Sequence, residues 1–378
     1  MSSTHPSLST LSQATWLFRK HQIRRIDAVI LTHGHQDAIA GLGKSLAYDL
    51  RAFTAPPSPQ AGAVIPIYLS RATLDAVAQQ FPYLVDKNQA TGGGDVPSLN
   101  FRVFDDPLVD GEGVGGESMA DGFDVHGIWV VPLAVHHGKY FTPPDQVERL
   151  DVPEKQTQTA PQTPPQVLQS SSNEIPGKNA IQPSLTSLLH RKIEETVKET
   201  VPFYCYGFVF DGKMIYLSDV SYIPTGTWEK MVSAIQPGTS GSSSPPTNDT
   251  ISPSKLPFSA SLPPSSRSLP CLILDCLRLE PHGSHLSFIQ SLSICLHLSP
   301  RETYLVGFTH PNSHNEWVAG CREVEGTRAE GEEDGFLAAV EKSAVRQGKE
   351  MMSVWERAKS EWKGFVRPAY DGQVVRIE

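Results

Sequence analysis

Residues 31–42, LTHGHQDAIAGL, carry the strongest indication of fold and chemistry in this chain. The apolar run IDAVILT overlaps their start and predicts a buried strand, and leucines spaced four residues apart follow and predict a helix. His33 and His35 flank Gly34, so a tight turn can aim both imidazoles at one ion. Asp37 opens the predicted helix, where it can act as an N-cap, as a ligand to a second ion, or as an acceptor for a bound water. The stretch predicts a metal site; the alternative is a polar turn that contains histidines by chance.

Three other predicted strands also end in residues that commonly bind metals. WVVPLAV is followed by His136 and His137, MIYLS by Asp219, and TYLVGFT by His310. Strand ends are rigid supports from which short loops can aim side chains into a common crevice. Imidazoles mixed with carboxylates suit Zn²⁺, with Mn²⁺ or Fe²⁺ as alternatives. Each residue alone has an ordinary structural explanation, whereas the joint pattern predicts one metal centre.

The remaining apolar segments alternate between strand-like and helix-like patterns. VIPIYL, residues 64–69, predicts a strand, and RATLDAVAQQF, residues 71–81, predicts a helix. Asp211 and Gly212, between FYCYGFVF and KMIYLSDV, predict a β-hairpin because a tight turn needs positive φ angles. FRVF, FDVHGIWVVPLAV, LPCLILDCL and ETYLVGFTH predict further strands, and the charged, amphipathic segment 335–362 predicts one helix. This mixture indicates an α/β fold built of layers with largely β halves.

Two regions interrupt this pattern. Residues 141–185 are rich in Pro and Gln, and residues 237–269 are rich in Ser, Pro and Gly. Neither region has enough apolar side chains to offset the entropy cost of ordering its backbone. Apolar segments resume after each region, so we expect two disordered inserts in a single domain that spans residues 1–378.

Composition narrows the classes of function and the compartment. A formal net charge of −9 argues against a broad nucleic-acid surface, although it does not exclude nucleic acid as a partner. The five cysteines include no C-x-x-C pair, which favours a reducing compartment. No apolar run approaches the roughly 20 residues that span a bilayer. The first 26 residues are basic and rich in Ser and Thr, as in a mitochondrial transit peptide, but we prefer to interpret them as an amphipathic helix of the domain that leads into a strand. We expect a cytoplasmic protein, with the mitochondrion as the alternative.

These motifs resemble the metallo-β-lactamase superfamily, whose signature is H-x-H-x-D-H after a strand, then a distant His, a bridging Asp and a final His from separate strand ends. The resemblance covers most of the chain outside the two inserts. It implies an αββα sandwich with one or two Zn²⁺ ions, or Mn²⁺ instead. The family pattern favours His137, directly before Gly138, over His136. The ligand set implied is His33, His35 and His137 for the first ion, Asp37 and His310 for the second, and a bridging Asp219.

Within the superfamily, HGHQDAIAGL, YLSDVS and RPAYDG are similar to the branch near the phosphoribosyl cyclic phosphodiesterases and the transfer-RNA 3′-processing endonucleases. In related phosphodiesterases a His in a late H-[ST/LS] segment assists the leaving group. The segment PHGSHLSF places His285 in that catalytic role and makes His282 a candidate for substrate binding. Asp37 is the other catalytic candidate, through the water that it can orient.

The chain departs from the family pattern at two points. Counterparts of the usual opening strands are not found before residue 26, so we expect a sheet that is incomplete at its amino-terminal edge. Ala38 replaces the His that usually completes the shell of the second ion. This replacement predicts a weaker second site, unless His314 or His282 fills the place.

The sequence therefore predicts a metal-dependent hydrolase of a small phosphodiester, in which a metal-bound hydroxide attacks phosphorus. The acidity of the protein favours a small molecule over a folded RNA as substrate, and we expect no membrane partner. Two alternatives stay open: the same chemistry on a thioester or lactone, and a non-catalytic binding or scaffold protein. The incomplete opening of the domain favours the non-catalytic alternative, while the retained ligand residues argue against it. The oligomeric state is not predicted.

Overall fold

The computed structural model describes residues 16–23, 26–42, 65–89, 99–104, 121–139, 201–235 and 269–377. The chain divides into two units. Met1–Lys139 with Pro202–Glu378 form one unit, and Tyr140–Val201 form the other. The predicted insert 141–185, and all of the predicted insert 237–269 except Leu269, lie outside the described residues. Both inserts therefore stay predictions.

The smaller sheet is parallel and has the strand order β1–β2–β3. Its strands are β1 (Val29–Ile30), β2 (Ile65–Ser70) and β3 (Leu99–Phe104). The helices that follow its strands are α1 (Gln36–Ile39), α2 (Arg71–Gln80) and α3 (Pro82–Val85), with 3₁₀ helices at Ala40–Leu42 and Lys87–Gln89. The side chain of Ser70 caps α2, since it accepts a hydrogen bond from the backbone N–H of Thr73 at 3.2 Å.

The larger sheet has the strand order β10–β9–β8–β7–β6–β5–β4. Its strands are β4 (Phe123–Val125), β5 (Ile128–Lys139), β6 (Pro202–Phe210), β7 (Met214–Leu217), β8 (Cys271–Asp275), β9 (Glu302–Val306) and β10 (Phe365–Pro368). Strands β4 to β7 pair antiparallel, and β7 to β10 pair parallel. Its helices are α4 (Thr225–Ile235), α5 (Phe288–Leu298), α6 (His314–Val324), α7 (Asp334–Gln347) and α8 (Lys349–Glu361). Asp211 and Gly212 have φ angles of 49° and 65°, as the predicted hairpin between β6 and β7 requires.

Three apolar clusters show how these elements stack in layers. Ile67 and Val77 belong to a cluster between the smaller sheet and its helices. Phe104 and Phe208 belong to a second cluster, which lies between the two sheets. Leu217 belongs to the third and largest cluster, between the larger sheet and α4–α8. The order helix, sheet, sheet, helix is the αββα sandwich that the sequence predicts.

The side chains of β5 pack alternately into the two apolar layers on either side of the larger sheet. Successive side chains of a strand point to opposite faces of the sheet. Val130 and Ala134 therefore lie in the cluster between the sheets, and Leu133 and Val135 lie in the cluster under the helices. The strand is apolar on both faces, and its last residues carry the histidines predicted for the site.

The strand predicted for residues 26–32 is regular only at Val29–Ile30. Beyond this short pairing, the carbonyl of Thr32 accepts a hydrogen bond from the backbone N–H of Tyr206 at 2.8 Å. Tyr206 belongs to β6, so the chain has passed here from the smaller sheet to the larger one. The residues that follow Thr32 are thereby placed between the two sheets.

The single helix predicted for residues 335–362 is wrong in one respect. The structure has two helices there, α7 and α8, and Gly348 separates them. Gly348 has a φ angle of 106°, which residues with a side chain rarely adopt, so the helix cannot continue through it. The periodicity on both sides of Gly348 is the same, which is why the pattern alone predicts one helix.

All five cysteines are buried and none forms a disulfide. Across the part of the chain that the structure describes, no helix has both the length and the apolar character needed to cross a membrane.

Candidate metal centre

His33 and His35 lie in the turn that joins β1 to α1. His33 is 2% exposed, whereas His35 is exposed at the start of the helix. A Cβ atom on Gly34 would lie 2.6 Å from Cβ of Ala76 on α2, closer than real contacts of this kind. Glycine is needed here because α2 packs against the turn, a reason that the local sequence does not show.

The ring of His33 has one nitrogen with partners and one without. Its Nδ1 lies 2.9 Å from Oγ1 of Thr32 and 3.6 Å from Sγ of Cys205. Its Nε2 is buried and has no hydrogen-bond partner among the described residues. Burial lowers the pKa of His33 to about 4, so the ring is neutral at pH 7. A buried polar atom without a partner is costly, and a metal ion bound to Nε2 would satisfy it.

His137 lies near the end of β5 and is 7% exposed. Its Nδ1 lies 2.8 Å from the carbonyl oxygen of Ser284. A carbonyl oxygen only accepts, so Nδ1 carries the proton and Nε2 keeps its lone pair for a ligand. Gly138 has a φ angle of 81°, and its N–H donates to Oγ of Ser221 at 3.1 Å. These contacts hold the end of β5 and orient the ring of His137.

The three histidines converge on one place. The ring centroid of His33 lies 4.7 Å from that of His35 and 5.0 Å from that of His137, and the last two are 5.0 Å apart. One potential ligand atom from each ring lies within 4.8 Å of the others. Burial also lowers the pKa values of His35 and His137, which favours the neutral form that binds metals. The geometry and the protonation state both suit a divalent ion such as Zn²⁺.

Asp219 follows β7 and contributes to two further groups of potential ligands. Its carboxylate lies within 4.8 Å of ligand atoms of His33 and Cys205 in one group, and of His137 and His285 in the other. Oγ of Ser218 donates a hydrogen bond to Oδ2 of Asp219 at 2.5 Å. The predicted bridging carboxylate therefore lies beside the histidine cluster.

His285 is linked to an aspartate that sequence reasoning missed. Nδ1 of His285 lies 3.1 Å from Oδ2 of Asp275, and its ring centroid lies 4.7 Å from that of His137. Burial acts to lower the pKa of His285, but the hydrogen bond and the charge of Asp275 outweigh it and raise the pKa. Asp275 is the last residue of the buried strand β8, much as Asp219 lies two residues after the end of β7. A carboxylate at the end of an apolar strand was the signal that could have identified it.

Phe203 is a second residue that the sequence did not single out. Its ring stacks on that of His35, with centroids 4.2 Å apart and planes at 7°. The same ring lies 5.9 Å from the centroid of His33 and 6.0 Å from that of His137. An aromatic residue at the start of an apolar strand reads as a core residue, so its sequence context does not reveal this contact.

The other predicted site residues are more peripheral. Asp37 is exposed in the first turn of α1, and its charge acts to raise the pKa of His35. His310 is exposed in the turn after β9, and His314 is exposed at the start of α6. Among the described residues, none of these three belongs to a group of ligand atoms within 4.8 Å. The two-ion arrangement therefore stays a prediction.

His282 is exposed on the loop between β8 and α5. Its Nδ1 lies 3.1 Å from Oγ of Ser284, and its ring centroid lies 5.6 Å from that of His285. Burial and the nearby Arg278 lower the pKa of His282. Its position beside His285 is compatible with contact to a substrate.

The comparisons with known proteins bear on the amino-terminal part of the chain. Residues 4–142 match the family model described as a beta-lactamase superfamily domain. The match supports the metallo-β-lactamase superfamily. The matched stretch contains four of the residues that the superfamily signature implies as ligands, namely His33, His35, Asp37 and His137. No curated protein matches the chain.

Solved structures similar to this chain include three proteins at low identity. One is a diphosphatase from the PhnP family, with 19% identity, a TM-score of 0.43 and coverage of 82% of this chain and 70% of that one. Another is YhfI from Bacillus subtilis, a metallo-β-lactamase fold protein, with 14% identity, a TM-score of 0.42 and coverage of 96% and 83%. The third is unliganded yeast PDE1, with 13% identity, a TM-score of 0.42 and coverage of 95% and 74%.

Proposed function

We propose that this protein is a metal-dependent hydrolase of a small phosphodiester, from the superfamily branch near the phosphoribosyl cyclic phosphodiesterases and the transfer-RNA 3′-processing endonucleases. The observation that carries the proposal is the buried Nε2 of His33, which has no partner among the described residues. The rings of His35 and His137 lie within 5.0 Å of the His33 ring, between centroids. Three neutral imidazoles lie together here, and one of them has a buried nitrogen without a partner. This arrangement has no evident structural purpose, whereas it suits a metal site.

His33, His35 and His137 would hold the first divalent ion in this proposal, with Asp219 beside them. Zn²⁺ suits this set best, and Mn²⁺ is the alternative. Such an ion, when bound, polarises a phosphoryl oxygen and lowers the pKa of a coordinated water. Ser284 fixes the tautomer of His137, and Thr32 and Cys205 lie against Nδ1 of His33. These contacts orient the rings, which is what partners of metal-binding histidines do.

His285 is the proposed proton donor to the departing oxygen. Asp275 engages Nδ1, which leaves Nε2 to carry the transferred proton. Since Asp275 raises the pKa of His285, the ring stays protonated to higher pH than an ordinary histidine. His282 is the proposed contact to the substrate, and Asp37 is proposed to orient water or to help hold a second ion. His310 remains the other candidate ligand for that ion.

The first experiment measures metal content and hydrolysis on the same purified protein. We expect bound Zn²⁺ or Mn²⁺ and cleavage of an aryl phosphodiester in preference to a thioester or a lactone. His33→Gln and His137→Gln should lose both the metal and the activity. His126→Asn is the matched control, because His126 is exposed in the β4–β5 turn and its φ of 53° suits Asn.

The alternatives predict different results in this experiment. Preferential cleavage of the thioester or lactone would show that the substrate class is wrong. Metal binding without cleavage of any of the three would favour a binding or scaffold protein. Full metal content in both His→Gln variants would contradict the ligand assignment itself.

A further inference from the structure

The loop between β8 and α5 carries both His282 and His285. One backbone hydrogen bond closes its base, where the N–H of Leu277 donates to the carbonyl oxygen of Leu286 at 3.0 Å. Towards its tip, a Cβ atom on Gly283 would have no described residue within 4 Å apart from its chain neighbours. The tip therefore projects from the fold, and further contacts are needed if the histidines of the loop are to keep one position.

Two side chains of α7 supply such contacts to the first limb of the loop. Oγ of Ser343 donates to the carbonyl oxygen of Leu279 at 2.8 Å, and Nε2 of Gln347 donates to the same oxygen at 3.2 Å. The two residues are four positions apart, so they lie on one face of the helix. Nε2 of Gln347 also donates to Oγ of Ser343 at 2.9 Å. Leu279 is thereby bound to α7 by two donors that support each other.

The amide of Gln347 also binds the second limb of the loop. Oγ of Ser287, the N-cap residue of α5, donates to Oε1 of Gln347 at 3.1 Å. Ser287 is buried and comes two residues after His285. The carbonyl oxygen of Leu279 only accepts, so the amide nitrogen must face Leu279 and the amide oxygen must face Ser287. One side chain therefore joins both limbs of the loop.

A third contact between α7 and the loop is an exposed ion pair. The guanidinium group of Arg346 contacts the carboxylate of Glu280, and both side chains are exposed. Pairs of this kind contribute little, because water screens the two charges. The hydrogen bonds from Ser343, which is buried, and from Gln347 are therefore the contacts that can fix the loop.

We propose that Gln347 and Ser343 are positioning residues for His285, because they hold the loop from which that histidine reaches the departing oxygen. The inference rests on the proposed function, which makes His285 the proton donor. Asp275 lies 3.1 Å from Nδ1 of His285 and orients the ring. The side chains on α7 hold the backbone to which the ring is attached. A displacement of about 1 Å can cost on the order of 100-fold in rate, so both kinds of support matter.

Hydrolysis by the full chain loaded with Zn²⁺ tests this proposal with two substrates, methyl phenyl phosphate and methyl nitrophenyl phosphate. Gln347→Met keeps the length of the side chain and removes its hydrogen bonds. We expect the rate for the phenyl ester to fall about 10-fold, and that for the nitrophenyl ester less than about 2-fold, because nitrophenolate leaves without a proton. Ser343→Ala should act in the same direction. Arg346→Met is the control on the same helix and should leave both rates unchanged.

A double variant tests whether Gln347 acts through His285. In the His285→Asn background, Gln347→Met should cause no further loss with the phenyl ester, because the group that it positions is absent. An equal loss in both backgrounds would overturn the proposal. Equal losses for the two esters, or a loss in Arg346→Met as large as that in Gln347→Met, would overturn it as well.

Amide hydrogen exchange measures the position of the loop without a substrate. The N–H of Leu286 donates to Oδ2 of Asp275 at 3.0 Å, and that of Ser287 donates to Oε1 of Gln290 at 2.9 Å, so both should exchange slowly in the parent protein. Gln347→Met should speed the exchange of both and leave that of β8 unchanged. If it loosens β8 as well, the same comparison is made with Ser343→Ala.

The exchange experiment separates this proposal from the proposed function. Unchanged exchange at Leu286 and Ser287 in both variants would overturn the positioning role, even if the parent protein hydrolyses diesters. If exchange responds as expected but the parent protein hydrolyses none of the diesters, α7 does hold the loop and the proposed function fails.

Discussion

The fully buried carboxylate of Asp275 lies 3.1 Å from Nδ1 of His285, whose side chain is partly exposed. The same carboxylate accepts backbone N–H groups from Val220 at 3.2 Å and Leu286 at 3.0 Å. A Cβ atom on Gly307 would lie 3.0 Å from Oδ1, so the residue directly after β9 closes over the carboxylate. Burial raises the pKa of Asp275 to about 6, and the hydrogen bond from His285 acts in the opposite direction. If the ring of His285 turned away, the carboxylate of Asp275 would lose its imidazole partner and keep the two backbone N–H groups.

The substitution Asp275→Asn tests whether His285, paired with Asp275, donates a proton to the leaving group. We expect rates to fall about 10- to 100-fold for diesters with poor leaving groups. The loss should be smaller for nitrophenyl esters, whose leaving group needs little protonation. Metal content should stay at the parent level, because Asp275 belongs to none of the potential ligand groups among the described residues. An equal loss for good and poor leaving groups, with unchanged thermal stability, would contradict the role of His285 as an acid.

Metal titration tests the unequal sites predicted from Ala38. We expect one ion to resist mild chelation, since His33, His35 and His137 are already assembled. A second ion should be lost easily, because Ala38 supplies no ligand, and the activity should follow that ion. Ala38→His should tighten the weaker ion, with Ala38→Gln as the control for size. If Ala38→His leaves both affinities unchanged, or if the parent holds two ions equally, the account of Ala38 is wrong.

Phe203 is predicted to position His35 for the metal. Phe203→Ala should weaken the affinity for Zn²⁺ by about 10-fold, because it frees the exposed imidazole to adopt other rotamers. Phe203→Tyr keeps the stacked ring and should retain the parent affinity. Equilibrium titration against a chromogenic chelator measures both. Equal affinities of the Ala and Tyr variants would show that the stacked ring does not matter.

The stability of the metal-free protein should depend on pH through two buried histidines. Burial lowers the pKa values of His33 and His136 from 6.5 to about 4. Between those pH values the unfolded chain binds protons that the folded chain does not, so the free energy of unfolding decreases as the pH falls. Each pKa unit is worth about 1.4 kcal/mol.

Urea unfolding of the chelator-treated protein at several pH values measures this dependence. His136→Gln should make the dependence of stability on pH shallower, because it removes one of the two histidines that take up a proton on unfolding in this pH range. His126→Asn, at an exposed position, is the control substitution. A parent protein whose stability is the same at the two ends of this pH range would refute the prediction.

The contact between the candidate metal-binding turn and α2 predicts that two substitutions compensate for each other. Gly34→Ala should destabilise the protein by about 1–3 kcal/mol, because the new methyl group overlaps Cβ of Ala76. Ala76→Gly removes that atom, so the double variant should recover part of the loss. If the two effects simply add, the overlap is not the cause.

The layers and the first histidines were predictable because they depend on local patterns. Apolar runs predict the strands β2 and β5. The H-x-H motif after a strand predicts that His33 and His35 belong to a metal site. The break at Gly348 was not predictable, because a glycine within a periodic helix is usually tolerated and only its φ of 106° reveals the break.

The partners of the site residues depend on contacts that are distant in sequence. Asp275 and Phe203 each end or begin an apolar strand, and their roles follow from the pairing of β8 and β6 within the larger sheet. No spacing rule connects Phe203 to His35 or Gly34 to Ala76. Such relationships exist only after the sheets have packed together.

The proposed ligands of the first ion come from different layers of the sandwich. His33 and His35 follow a strand of the smaller sheet, and His137 lies near the end of a strand of the larger one. A bound ion would therefore join the two sheets, and its binding free energy would add to the free energy of unfolding. We expect the chelator-treated protein to be cut faster by proteases than the metal-loaded protein. In a cell, metal supply would then govern the lifetime of this protein. Metal-free protein would be degraded before it accumulates in an inactive form.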